Sequence, residues 1–307
     1  MKDKFKGVML GLAIGDALGA PVEFMHVSEI CHKYGPEGIK GYAEVPARYT
    51  DDTQMSLATA WGLLDSAKDP DNYGRVNPLV YARYKEWYEM QVNEPDKRRA
   101  PGGTCLHALD GGIAGSVINP INNSKGCGGV MRVAPAGLFY PPGRAFTAGL
   151  DFAAMTHTHP TGYLPAGYLA ELISNLVRGE DLYSAMRLAH GCMVFYDRDG
   201  SRETADILLK AINLPRGEIG ELGQGWVAEE ALAIALYSVL HEPEDFTRAV
   251  LMAVNITGDS DSTGSIAGAI AGAVHGDVGI PLGLIADLED HIDICRTAEE
   301  LYERRVV

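Results

Sequence analysis

Apolar residues recur at helical spacing through much of the chain. Met55–Leu64, Pro78–Met90, Ala166–Val177, Val227–Leu240 and Phe246–Val254 each read as helix on that pattern. Long β-branched runs are scarce and no regular strand–helix alternation is visible, which argues against a parallel α/β sheet. Short segments marked by Gly or Pro separate the helices: Gly35–Gly41, Pro95–Gly103, Asn119–Gly129, Pro141–Gly143 and Leu214–Gly225. Neither a low-complexity linker nor a repeat of roughly 20–50 residues interrupts them. One all-α domain covering residues 1–307 is expected.

Two stretches break the usual helical composition. Gly7, Gly11, Gly15 and Gly19 recur every four residues, and so do Gly264, Gly268, Gly272 and Gly276. A spacing of four places them on one helix face. Each glycine costs roughly 1 kcal/mol relative to Ala inside a helix, and close backbone approach at a helix crossing offsets that. Two central, tightly packed helices are predicted, holding whatever lies at their ends.

Charge narrows the function. The 26 Lys and Arg against 41 Asp and Glu leave a net −15 over 307 residues. Such a surface repels phosphate backbones and anionic lipid, so neither nucleic acid nor membrane is expected as a partner. No stretch reaches the roughly 18 uninterrupted apolar residues of a membrane span; Ala231–Leu240 and Ile266–Val274 are the longest candidates. The first residues lack the pattern of a cleaved leader. Five scattered cysteines without a CxxC fit a reduced, cytoplasmic protein.

Chemistry concentrates in three acidic motifs. Tyr49-Thr-Asp-Asp-Thr-Gln54 opens the Met55–Leu64 helix, and Thr257-Gly-Asp-Ser-Asp-Ser-Thr-Gly264 opens the second glycine-faced helix. Gly15-Asp-Ala-Leu-Gly-Ala-Pro-Val-Glu-Phe24 closes the first. Thr, Ser or Asp at a helix start caps free backbone N–H groups and suits the helix dipole. One carboxylate does that work; paired Asp51 and Asp52, and Asp259 with Asp261, exceed it. If the two helix starts meet, four carboxylates share a small volume, raising one another's pKa unless cations intervene. Hard oxygen donors of this kind suit Mg²⁺, Mn²⁺ or Ca²⁺, with Thr50 and Ser262 hydroxyls available to complete the shell.

Other candidates are weaker. His157 and His159 lack a third zinc ligand at a recognisable spacing. Cys127 has no evident base to make it a nucleophile. Its surroundings, Lys125-Gly-Cys-Gly-Gly-Val-Met-Arg132, supply backbone N–H groups able to cradle an anion such as a diphosphate. No GxxxxGK[ST] or strand–GxGxxG–helix pattern supports a nucleotide-triphosphate or dinucleotide fold.

These motifs, with Ser124–Pro135 and Thr156-His-Thr-His-Pro160 between them, resemble the ADP-ribosylglycohydrolase family in content and order. That family includes the dinitrogenase reductase-activating glycohydrolases and the ADP-ribosylarginine and ADP-ribosylserine hydrolases. The resemblance implies a single compact, orthogonal helical bundle with a site for two Mg²⁺ (or Mn²⁺). It carries metal ligation onto Thr50, Asp51, Asp52, Asp259, Asp261 and Ser262. Glu23 matches the glutamate on the family's flap, and with Asp52 and Asp261 is the expected catalytic set. Gly126, Cys127, Gly128, Gly129 and His157 are expected to bind substrate. The implied reaction is hydrolysis of the N-glycosidic bond between ADP-ribose and a protein side chain, in a regulatory or toxin-immunity setting. The Asp-Ser-Asp-Ser-Thr form resembles the arginine-directed members more than the serine-directed ones. A mono-ADP-ribosylated protein and ADP-ribose are the expected partners of a monomeric enzyme. A non-catalytic ADP-ribose or toxin binder, a serine-linkage hydrolase and a hydrolase of another small ribosyl compound are the alternatives. One departure stands out: some nitrogenase-regulating relatives carry an Asp shortly before Gly-x-Thr-Cys, where this chain has Ala100 before Gly102-Gly-Thr-Cys105.

Overall fold

The computed structural model describes residues 1–67 and 76–307. In chain order the α-helices are α1 (Lys2–Gly19), α2 (Val27–Tyr34), α3 (Asp51–Ser66), α4 (Val76–Asn93), α5 (Gly103–Asp110), α6 (Ala134–Phe139), α7 (Arg144–Ala154) and α8 (Pro160–Val177). They continue as α9 (Leu182–Tyr196), α10 (Arg202–Asn213), α11 (Ala228–His241), α12 (Phe246–Val254), α13 (Ser260–His275), α14 (Leu282–Ala286) and α15 (His291–Arg304). Among the described residues there is no strand, only two isolated bridges, Ala47 with Leu288 and Gly126 with Val227. The all-α expectation holds.

The core is the antiparallel pair α1–α13, wrapped by α3, α6, α8, α11, α12 and α15. Both helices are buried all round: Gly7–Gly19 of α1 and Ser260–Ala273 of α13 lie wholly inside, as expected for a helix with no polar face. Their glycines pair across the crossing. A Cβ on Gly11 would lie 2.1 Å from the Gly268 carbonyl oxygen, one on Gly15 1.9 Å from that of Gly264, and one on Gly7 2.4 Å from that of Gly272. Backbone thus touches backbone, and dispersion between closely spaced main chains replaces what side chains would contribute. Gly276 ends the row in another way. It caps α13 at φ 69°, in the left-handed region that favours glycine.

The segment Lys2–Val22 is long and apolar enough to cross a membrane, with 83 % of its window buried in the fold. The run is not unbroken, since Lys6 and Asp16 interrupt it, and most of it lies inside the fold. Glycine and alanine supply apolar character without the bulk that marks a spanning segment, and here they serve a helix crossing.

The five helices read from periodicity are present within α3, α4, α8, α11 and α12. α8 starts earlier than expected, at Pro160, and runs through Pro165. α2, α5, α9, α10 and α15 were not read from the sequence; they lie at the periphery, each burying only a few residues against the core. The α1–α13 pairing brings the end of α1 against the start of α13, and α3 begins beside that junction.

Candidate active site

Asp16 builds the junction. It is fully buried in α1 and accepts hydrogen bonds from the Thr50 N–H at 2.8 Å, the Thr53 N–H at 3.0 Å and the Thr53 hydroxyl at 2.6 Å. A carboxylate of α1 therefore caps the first turn of α3 from outside. Thr50 is the N-cap of α3, its Oγ1 accepting from the Asp52 N–H at 3.4 Å. Asp259 is the N-cap of α13, its Oδ1 accepting from the Ser262 N–H at 3.4 Å. Capping leaves Asp51, Asp52 and Asp261 in surplus.

The two helix starts do meet. Ser262 Oγ donates to Asp52 Oδ2 at 3.4 Å across 210 residues of sequence. Oxygens of Glu23, Asp259 and Asp261 lie within 4.8 Å of one another. Asp51 Oδ2 accepts the Gly102 N–H at 3.1 Å, which fixes the 100–103 segment against the cluster. Cys127 Sγ donates to Asp259 Oδ2 at 2.7 Å.

This cluster forms one wall of a cleft of about 350 Å³. Glu23, Asp51, Asp52, Asp259, Asp261 and Ser262 line it, together with Gly126, Cys127, Gly128 and His157. Thr50 does not line the cleft; it stands behind Asp52 as the helix cap. Gly129, expected to touch substrate, turns inward instead. A Cβ there would meet the Ala153 Cβ at 3.0 Å and the Gly162 carbonyl at 3.2 Å, so this glycine serves packing. Gly128 is the one whose bareness shapes the cleft: a Cβ there would meet Cys105 Sγ at 2.9 Å and the His157 ring at 3.0 Å.

Burial and mutual repulsion dominate the electrostatics. Burial first, then the Asp261 charge, push Asp51, Asp52 and Asp259 well above the usual carboxylate range. The same two causes raise Glu23 to about 9 and Asp16 to about 7. Burial and the neighbouring Asp259 carboxylate push the Cys127 thiol up, so it stays protonated and is no nucleophile. His157 goes the other way, to about 3, because it is buried and lies near the Arg132 guanidinium. A neutral ring therefore faces the cleft. Arg132 itself is buried, holds the Phe152 carbonyl at 2.9 Å and Thr156 Oγ1 at 2.6 Å, and lies over the Tyr84 ring.

The residues present fit a divalent cation. Asp52 Oδ1 is buried without a hydrogen-bond partner, a costly state for a carboxylate oxygen. The surrounding donors are hard oxygens from four Asp, Glu23 and Ser262, the set that Mg²⁺ or Mn²⁺ prefers.

The rim was not foreseen. Phe24 stacks on Trp226 with ring centroids 5.1 Å apart and planes 22° from parallel. Phe24 sits at φ 65°, a strained value for a bulky residue, held by its N–H bond to the Gly258 carbonyl at 3.1 Å.

The sequence profile of ADP-ribosylglycohydrolases matches residues 1–307. The chain belongs to the ADP-ribosylglycohydrolase family. It is 28 % identical over 304 residues to the ADP-ribosyl-[dinitrogen reductase] glycohydrolase of Rhodospirillum rubrum, covering 95 % of this chain and 92 % of that protein. The ADP-ribosylarginine hydrolase Tri1 of Serratia proteamaculans is 25 % identical over 307 residues, covering 98 % and 79 %. A solved ADP-ribosylglycohydrolase-related protein complex superposes with a TM-score of 0.71 at 26 % identity, over 99 % of each chain. As a hydrolase of this family, the protein acts on linkages to ADP-ribose, and the acidic cleft is where its five motifs converge.

Proposed function

We propose that the protein removes ADP-ribose from arginine side chains of a modified protein, with two Mg²⁺ or Mn²⁺ held by the acidic cluster. The observation that carries this reading is the convergence of Asp51, Asp52, Asp259, Asp261 and Glu23 on one cleft wall, with Asp52 Oδ1 lacking a partner. Asp51, Asp52, Asp259 and Asp261 would hold the cations with the Ser262 hydroxyl, and Thr50, outside the cleft, would steady Asp52 from behind. When bound, such a pair supplies Lewis acidity for the ribose hydroxyls and lowers the pKa of bound water.

The chain's own groups account for the rest. Hydrolysis breaks the C1″–N bond, places the water oxygen on C1″ and delivers a proton to the leaving guanidino nitrogen. The transition state resembles an oxocarbenium ion, and a wall of carboxylates favours the positive charge that develops there. Glu23, beside Asp259 and Asp261, is placed to carry the proton on its Oε atoms. Gly126 and Gly128 offer bare backbone for the diphosphate, and neutral His157 closes that side without adding a competing charge. The Tri1 relatives act on ADP-ribosylarginine by name, which supports the arginine linkage here.

The test is incubation of an ADP-ribosyl-arginine protein with Mg²⁺, with and without chelator. Release of free ADP-ribose that the chelator abolishes is expected. No release in either case would refute the reading, and full turnover by Glu23→Gln would remove Glu23 from the reaction.

A further inference from the structure

We propose that a basic cavity beside the catalytic cleft docks acidic residues flanking the modified side chain of the target protein. This rests on the reading of a modified protein as substrate.

The cavity measures about 480 Å³. Lys33, Arg48, Arg98 and Arg99 line it, and Glu44 is the one carboxylate in its wall among the described residues. Arg99 is already engaged: its guanidinium holds both Glu289 oxygens, at 2.8 and 3.1 Å, and the Tyr49 carbonyl. Lys33, Arg48 and Arg98 are exposed. Among the described residues none of the three ion-pairs with a carboxylate; Lys33 Nζ rests 4.8 Å from the Tyr34 ring centroid. Three uncommitted cations thus face one carboxylate, in a chain whose net charge is −15. Elsewhere this surface repels anions; here it gathers them, and such a field selects an acidic partner and speeds its arrival.

Position ties the cavity to the reaction. Ala100 lines both the cavity and the catalytic cleft, and Thr50, adjacent in sequence to Asp51, lines the cavity. A peptide leaving a side chain seated in the cleft reaches these cations within a few residues. Under the proposed function the ADP-ribose phosphates lie at Gly126–Gly128 in the other cleft, which leaves this cavity to carboxylates of the target.

The experiment uses the whole chain and two labelled peptides with a central arginine, one Glu-rich and one Lys-rich, each unmodified and ADP-ribosylated. Fluorescence anisotropy at low salt is expected to show the unmodified Glu-rich peptide binding wild type, and binding roughly tenfold weaker to Arg48→Glu/Arg98→Glu. Turnover should show a raised KM for the modified Glu-rich peptide with kcat unchanged, and an unchanged KM for free ADP-ribosyl-arginine. Lys33→Glu should shift KM in the same direction. No binding of the Glu-rich peptide by wild type, or equal affinity in the double variant, overturns the proposal. So does an equal loss with free ADP-ribosyl-arginine, since the cavity would then serve the ADP-ribose phosphates. Charge-dependent binding without hydrolysis of either peptide leaves the docking site standing and refutes the hydrolase reading alone.

Discussion

Along its length the α1–α13 pair is neutral and tight, whereas at the Gly19–Ser260 end it is charged and under-satisfied. In the first region Gly7, Gly11 and Gly15 leave no space for a methyl group against the partner backbone. In the second, Asp52 Oδ1 has no partner, and burial with like charges pushes the carboxyls up. The contrast is causal. Carboxylates that repel one another stay together only if the helices carrying them cannot separate, and the glycine crossing provides that rigidity. Stability is invested in one region so that electrostatic strain persists in the other.

Separating the two contributions begins with charge. Asp261→Asn keeps the side-chain volume and removes the charge that bears most on its neighbours. Turnover is expected to fall about a thousandfold, several kcal/mol of lost charge stabilisation, while the metal-free protein melts at a higher temperature. Steady-state kinetics and calorimetry on the same sample check both, and a lower melting temperature would break the contrast. Gly268→Ala makes the reciprocal change. Its Cβ would lie 1.9 Å from the Gly11 carbonyl oxygen, so a loss of about 3 kcal/mol or more in urea unfolding is expected.

Asp16→Asn probes the link between the regions. The amide keeps one acceptor oxygen where the carboxylate accepts from Thr50 and Thr53, so α3 should start less firmly. A roughly 10–100-fold loss of divalent-cation affinity is expected by calorimetry, as for residues that orient ligands from behind. Unchanged affinity would show that Asp16 has no part in placing Asp51 and Asp52.

The smallest effect concerns pH. A carboxyl raised in the fold keeps a proton that the unfolded chain has released. Its contribution to metal-free stability therefore falls as pH rises from about 4, the unfolded value, toward its folded value. That window reaches about 7 for Asp16 and about 9 for Glu23. His157, held down to about 3, works oppositely below about 6.5, so shifts with and without Mg²⁺ are compared at each pH. The Mg²⁺-induced rise in melting temperature should be larger at about pH 8 than at about pH 5; equal rises would contradict the electrostatic account.

Some of this was legible in the chain and some was not. The four-residue glycine spacing announced the crossing because, in segments otherwise read as helix, that period lines the glycines along one face. Surplus Asp beyond capping announced the cluster, and Asp51, Asp52, Asp259 and Asp261 do converge. The role of Asp16 was hidden, because it caps a helix whose N-cap residue lies 34 residues later, and local sequence carries no signal for that. Gly129 was misread for a related reason: a Gly-rich loop does not say which glycine faces ligand and which faces core. The basic cavity draws on α2, the 42–50 segment and the 98–100 segment, whose charges look scattered until the chain folds.

The most direct measurement is a Mn²⁺ titration followed by electron paramagnetic resonance, on wild type and Asp52→Ala. Saturable binding by wild type, lost or strongly weakened in the variant, is what a shared acidic site requires. Mn²⁺ that stays free in wild type, or binds the variant equally well, would contradict it.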